Sequence, residues 1–344
     1  MSDSFETDRV TMTTIARIAG VTQATVSRAF NHPDKLSAGT LNKIMEAVRL
    51  TGYVPNLLAG ALASNKSRMM AAIVPSITNV VYSSVLQPFI GKVRSHGYQT
   101  MVMESGLAEE EEERLVTLAL ARRPEGILLT GVSHSRECRR QLMVSGIPVV
   151  EIWDVTKNPI DVCVGFSHID VARDAAFHLL SQGYRSLAVI SAHDARAQLR
   201  RDAFCDAAVS AGGAPPLQFN VDGAASISFG RQALRDLISQ GFSSGAVFCS
   251  SDILAHGVLI EGQAQGIAVP EKIGVLGFGD QDFAASLIPS LSSIAIDREE
   301  LGNRAAEALV QAIASKSRSE TVINVGYQIV ERGSLSNHSD YRIE

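Results

Sequence analysis

The stretch VTQATVSRAFN, residues 21–31, decides how the N-terminal end of the chain is read. Thr22 stands where a helix cap belongs, and Val26 and Phe30, four residues apart, share one face. The other face carries Gln23, Ala24, Ser27 and Arg28: small residues, a hydroxyl, an amide and a guanidinium, with no carboxylate. That composition suits a helix laid in the major groove of DNA. Short side chains allow close approach, amide and guanidinium groups match base edges, and hydroxyls bond phosphates.

The residues on either side fit the same reading. MTTIARIA (12–19) spaces Met12, Ile15, Ile18 and Ala19 as a helix, and Gly20 supplies a left-handed turn. Ala16 is small where two steeply crossed helices come closest, and Val21 and Val26 fill the angle between them. This is the helix-turn-helix pattern. A third helix is predicted from a Ser37 cap through Leu41, Ile44, Met45 and Val48 to Thr51, stopping at Gly52. Pro55 then breaks the chain, and Leu57, Leu58, Ala61 and Leu62 form a short apolar helix that no local core buries. Such a segment orders only against a partner, its twin or DNA.

Charge is divided in the same way. Arg9, Arg17, Arg28, Lys35, Lys43, Arg49, Lys66 and Arg68 face only Asp34 and Glu46 over that span, yet the whole chain carries −5. A basic end on an acidic body suits a polyanion at one end and other work in the body. At 344 residues, 46% hydrophobic and 19% charged, the chain has room for two or three domains with substantial cores. Cys138, Cys163, Cys205 and Cys249 show no CxxC spacing, so neither a disulfide framework nor a zinc site is expected. The polar start MSDSFETDRV is no signal peptide, and no apolar run approaches a membrane span. The expectation is a cytoplasmic protein with no membrane partner.

TTIARIAGVTQATVSRAFN, LSAGT and GYVPNLLAGALA together resemble the DNA-binding headpiece and hinge helix of the lac-repressor (LacI/GalR) family. The resemblance implies that Gln23 and Ala24 read bases and that Arg28 contacts base and backbone. Thr11, Thr22, Thr25, Ser27 and Asn31 fall at or beside phosphate contacts. In the hinge, Asn56, Ala59 and Leu62 belong to the DNA-binding set, with Leu62 on the leucine that enters the central minor-groove step of a palindromic operator. The implied partners are double-stranded operator DNA, a second copy of the chain and a small-molecule effector.

From Met69 the pattern changes. MMAAIVPSI, YQTMVMES, EGILLTG, IPVVEI, SLAVIS, LQFNV, GAVFCS and IGVLGF are strand-like runs separated by amphipathic helical patterns. Two successive βα sets point to two doubly wound lobes with parallel sheets and a ligand in the cleft between them. The predicted fold is an all-α helix-turn-helix headpiece (1–52), a hinge helix or linker (53–68) and an α/β core of two parallel-sheet lobes (69–344). The resemblance extends to about residue 335 and implies a core like periplasmic binding proteins, with three crossings between lobes.

The pocket candidates are polar residues at strand ends: Ser76, Asn79, Thr130, His134, Glu151, Asp154, Arg200, Ser251, Asp252, Gly279 and Asp280, with Tyr82 or Trp153 as apolar wall. Arg200 falls on the family position that grips the effector. Asp252 is read as the cap of the following helix, and His168 as satisfying a local hydrogen bond. GFGDQD puts Gly279 where the family usually has an Asp for sugar hydroxyls, and the usual capping aromatic is missing around GAASIS (223–228). Losing a carboxylate while keeping an arginine favours an anion. VPSITNVVYSSVL, HGYQTM, GILLT, GIPVVEIWD and VGF resemble the gluconate-operon repressor branch, which implies a sugar acid such as gluconate. A neutral or phosphorylated sugar, an activator, or a repressor needing a corepressor stays open. The run EEEEERL (109–115) reads as a solvated helix start favoured by the helix dipole. No GxxxxGK[ST], GxSxG or HExxH occurs, so neither an enzyme nor a cofactor is expected, and no metal.

Overall fold

The computed structural model describes residues 10–54, 67–315 and 321–335, and the chain divides into two compact units, Met1–Ser67 and Arg68–Glu344. Asn56, Ala59 and Leu62 lie outside the described residues.

The described residues of the first unit form three α-helices: α1 (Met12–Ala19), α2 (Gln23–Asn31) and α3 (Ala38–Thr51). The hydroxyls of Thr11, Thr22 and Ser37 each accept the N–H three residues on, satisfying one free donor per helix start. Gly20 and Gly52 take the left-handed conformation where α1 and α3 end. Ile15, Ala16, Val26, Ala29, Ile44 and Ala47 make the core, with Phe30 and Tyr53 packed at its edge. Two apolar residues of the helical patterns are at the surface: Ile18 is 48% exposed and Met45 47%. Three short helices enclose only one small layer, and Ala16 and Ala47 fill it.

The second unit alternates strands and helices. Its first five strands are β1 (Met69–Val74), β2 (Gln99–Glu104), β3 (Gly126–Thr130), β4 (Val149–Ile152) and β5 (Val162–Gly165). Between them come α4 (Val80–Ser95), α5 (Glu109–Leu120) and α6 (Arg136–Ser145). After α7 (His168–Ser181) follow β6 (Leu187–Ser191), α8 (Ala195–Ser210), β7 (Leu217–Asn220), α9 (Ile227–Ser239), β8 (Gly245–Cys249), α10 (Asp252–Ala264), β9 (Ile273–Phe278) and β10 (Ser292–Ala295). Helix α11 (Arg298–Ser315) leads to β11 (Thr321–Asn324) and β12 (Gln328–Val330).

The strands form two six-stranded sheets, β11-β5-β4-β3-β1-β2 and β12-β10-β9-β8-β6-β7, parallel except for β12. The chain thus passes between lobes three times: after β5, after β10 and after β11. The buried strands are almost wholly apolar, as parallel sheets covered on both faces require. One apolar cluster joins the inner faces of both sheets, taking Met70, Leu128 and Val150 from the first and Val189, Phe248 and Leu276 from the second. Separate clusters fill the outer face of each lobe. Among the described residues no helix is long and apolar enough to cross a membrane.

Candidate functional site

In the first unit, Thr22, Gln23, Ala24 and Arg28 are exposed on α2, and Thr25 and Ser27 are half-buried beside them. The Thr22 and Thr25 hydroxyls are 2.9 Å apart, so the helix start is stiffened by the groups assigned to phosphate. The Asn31 amide instead folds back and donates to the Ser27 carbonyl at 2.9 Å. Thr11 serves the capping box of α1 with Thr14.

In the second unit the strand ends converge on a cluster built around α8. Asp194 caps that helix, and Arg196 and Arg200, four residues apart, project from one face. Arg200 is 5% exposed and lies 4.0 Å from the centre of the Phe278 ring. Its Nη1 donates to His168 Nδ1 at 2.8 Å and its Nη2 to the Ser250 carbonyl at 3.0 Å, while Nε is buried without an acceptor. Arginine only donates, so His168 Nδ1 must accept, and its Nε2–H donates to the Trp153 carbonyl at 2.9 Å. His168 is therefore neutral. Burial, with Arg200 and Arg196 adding to it, holds its pKa well below the usual imidazole value. Burial also draws Arg200 down to about 10, against the pull of Asp194.

Arg196 crosses to the first lobe. Its Nη2 donates to the Tyr82 hydroxyl at 2.8 Å, and its buried Nη1, which lacks an acceptor, sits above Gly131 at the end of β3. Trp153 packs edge-on against Tyr82 and Phe166, and its buried indole N–H has no acceptor. Trp153 holds a left-handed conformation, φ 74°, and Gly165 lets the neighbouring strand approach: a Cβ there would lie 2.3 Å from the Asp154 carbonyl. Burial raises the Asp154 pKa against the Val155 N–H and the two arginines.

The cleft thus gathers Tyr82, Trp153, Asp154, Arg196 and Arg200, three of them with buried N–H groups that have no acceptor among the described residues. Gly279 borders it, since a Cβ there would lie 3.8 Å from Val81, the residue before Tyr82.

Other candidates are placed elsewhere or committed to the scaffold. Glu151 is fully buried on the outer face of the first sheet, where it accepts the Ile160 N–H at 2.6 Å and faces His134. The Asp280 carboxylate is turned to Arg332, at 2.6 Å. Asp252 does not cap α10; Ser251 does, and Asp252 accepts the Gln281 N–H and the Ser293 hydroxyl, both at 2.6 Å. Asn79 caps α4, Ser76 closes the loop before it, and Thr130 donates to the Ile73 carbonyl. The acidic run that opens α5 is only partly solvated, for Glu112 bonds His134 and Glu113 bonds Ser135. Arg196 was not singled out from the sequence, although its i, i+4 spacing to Arg200 in ARAQLR placed it on the same face. Arg298, which donates to the Gly279 and Asp280 carbonyls and fixes that loop, carried no sequence signal.

Residues 11–56 match the family described as bacterial regulatory proteins, lacI family, and residues 176–335 match a periplasmic binding protein-like domain. The HTH-type transcriptional regulator GntR of Pseudomonas aeruginosa is 37% identical over 331 residues, covering 95% of this chain and 96% of that protein. The HTH-type transcriptional regulator IdnR of Escherichia coli is 31% identical, covering 95% and 99%. A LacI-family transcriptional regulator from Silicibacter pomeroyi superimposes with a TM-score of 0.89 at 30% identity, covering 95% and 99%. An identity of 37% sustained along headpiece and core together is more than a shared fold accounts for, and the chain belongs to the lacI family of bacterial regulatory proteins, a transcriptional repressor family.

Proposed function

We propose that the chain is a cytoplasmic, non-enzymatic repressor that binds a palindromic operator as a homodimer and is released by a sugar acid, gluconate or a close relative. The observation that carries the effector reading is the set of acceptor-less buried donors: Trp153 Nε1, Arg196 Nη1 and Arg200 Nε. A buried donor left unmatched costs about 1–3 kcal/mol, so a ligand rich in acceptors is favoured there. Arg196 and Arg200 share the two carboxylates near them, Asp154 and the helix cap Asp194, yet each keeps an unmatched N–H that a ligand carboxylate would satisfy. The hydroxyls of a sugar acid supply the remaining acceptors, and Tyr82, Trp153 and Phe278 cover its carbon chain.

On the DNA side, Gln23, Ala24 and Arg28 are assigned to base edges and Thr11, Thr22, Thr25, Ser27 and Asn31 to the backbone. Asn56, Ala59 and Leu62 act in the hinge. The exposure of Gln23, Ala24 and Arg28 on a capped helix without carboxylates supports this assignment. In the core, Ser76, Asn79, Thr130, Ser251 and Gly279 border the effector through loops and helix starts.

Trp153 is the chain's only tryptophan, so its fluorescence reports the cleft directly. Titration with gluconate, 6-phosphogluconate, ribose and galactose is expected to give a saturable response to gluconate alone. A response confined to a neutral sugar would overturn the sugar-acid assignment.

A further inference from the structure

The outer face of the first lobe holds a second cluster of chemistry-bearing side chains that neither DNA nor effector binding uses. We infer that Glu112, His134 and Cys138 form a binding site for one borderline divalent cation, zinc in type, with Glu151 as the carboxylate that orients the histidine.

One oxygen of Glu112, one ring nitrogen of His134 and the Cys138 sulfur all lie within 4.8 Å of one another. They come from α5, from the loop before α6, and from the first turn of α6. His134 Nδ1 is 2.8 Å from Glu112 Oε2, and its other nitrogen, Nε2, is 3.3 Å from Glu151 Oε1. Histidines that bind a metal through one nitrogen characteristically donate the other N–H to a carboxylate, which fixes the tautomer and raises ligand basicity. Glu151 occupies that place, and it is itself held by the Ile160 N–H at 2.6 Å and by Arg139 at 3.7 Å. His134 Nε2 and Glu151 Oε1 are buried and make no well-formed hydrogen bond. Mixed N, S and O donors suit Zn²⁺ in a tetrahedron whose fourth position is left to water. Tetrahedral zinc sets its ligand atoms roughly 3.3–3.7 Å apart, so shifts of about an ångström complete the shell.

A metal takes Cys138 as its thiolate and His134 through a ring nitrogen free of its proton, so the protons those ligand atoms carry leave to solvent as M²⁺ enters. An open groove lined by His134, Arg136, Arg139, Arg140, Met143 and Val144 lies beside the cluster. The lack of CxxC spacing gave no hint of this, because the three ligands are brought together by the packing of α5 against α6.

The test is spectroscopic and uses the full chain. Titrated with Co²⁺ alone, the parent is expected to bind one equivalent with a thiolate-to-cobalt charge-transfer band that Zn²⁺ abolishes. Cys138→Ser removes the band and Cys205→Ser keeps it, while Glu112→Gln keeps the band with at least roughly tenfold weaker binding. A parent without the band overturns the site whatever the variants do. A band that survives in Cys138→Ser overturns it equally.

Discussion

Arg196 and Arg200 share one face of α8 but are held in opposite ways, and that difference separates their roles. Arg200 is fixed by His168, Ser250 and Phe278 and keeps one free donor, whereas Arg196 is tied only to Tyr82. Arg196 is thus the group that a ligand carboxylate engages most freely. Since a hydrogen bond to a charged group contributes about 1.5–3 kcal/mol, Arg196→Gln should weaken sugar-acid binding by roughly ten- to a hundredfold. Neutral-sugar affinity should not change, and the Trp153 titration reads both. Asp252 gives a second residue-scale prediction. Burial raises its pKa to about 6, against its bonds to Ser293 and Gln281. Across about pH 4–6 the folded chain therefore keeps a proton that the unfolded chain has lost, and stability falls as pH rises through that window. Asp252→Asn should flatten this slope, which urea midpoints at about pH 4 and about pH 7 measure in parent and variant. At this scale the sequence was readable where strand ends or family positions marked a residue, as for Tyr82, Asp154 and Arg200. It misled at Glu151. The two-residue alternation shows that Val149 and Glu151 share a face, but only the packing of α5 and α6 decides that this face looks away from the cleft.

Elements were legible in proportion to their length and their caps. The three headpiece helices begin and end where Thr22, Ser37, Gly20 and Gly52 indicate, because capping is a local property. Eight strands announce themselves as apolar runs, whereas β5, β10, β11 and β12, of three or four residues each, were not singled out as runs in the sequence. Those short strands complete both sheets, and β11 and β12 make the last crossings between lobes. The helix that feeds them, α11, crosses α4 closely at Gly302, where a Cβ would lie 2.5 Å from the Val85 carbonyl and 2.7 Å from Pro88. Neither helix backbone can yield without disturbing the apolar cluster beneath, which includes Leu301, Ala305, Val85 and Phe89. Gly302→Ala should therefore destabilise the core by about 1–3 kcal/mol despite the better helix propensity of alanine. A lower urea midpoint with an unchanged slope is the expected signature, and an unchanged midpoint would mean that the helices separate at no cost.

For the molecule as a whole, the proposed function requires two binding events to communicate. A sugar acid that bridges Arg196 and Tyr82 touches both lobes at once, so it favours one degree of lobe closure over others. To release the operator it must bind more tightly to the arrangement that holds the hinges badly placed, and the coupling is reciprocal: operator DNA must weaken effector binding by the same factor. The proposed hinge provides a way to separate the two events. Leu62 is assigned to the central minor-groove step, where a wedged apolar side chain offsets the cost of unstacking and lets the bent duplex meet both half-sites. Truncation to alanine removes the wedge and leaves the cleft residues untouched. Leu62→Ala is expected to lower operator affinity by roughly tenfold or more, a loss of at least about 1.4 kcal/mol. Its salt dependence should stay as in the parent, because the substitution removes no lysine or arginine. The Trp153 response to gluconate should be the same in variant and parent when no DNA is present. Fluorescence anisotropy of labelled operator at matched salt measures the first quantity, and the tryptophan titration the second. A variant that holds operator as tightly as the parent would remove Leu62 from the DNA interface. One that loses both affinities would mean that the hinge shapes the cleft even in the absence of DNA.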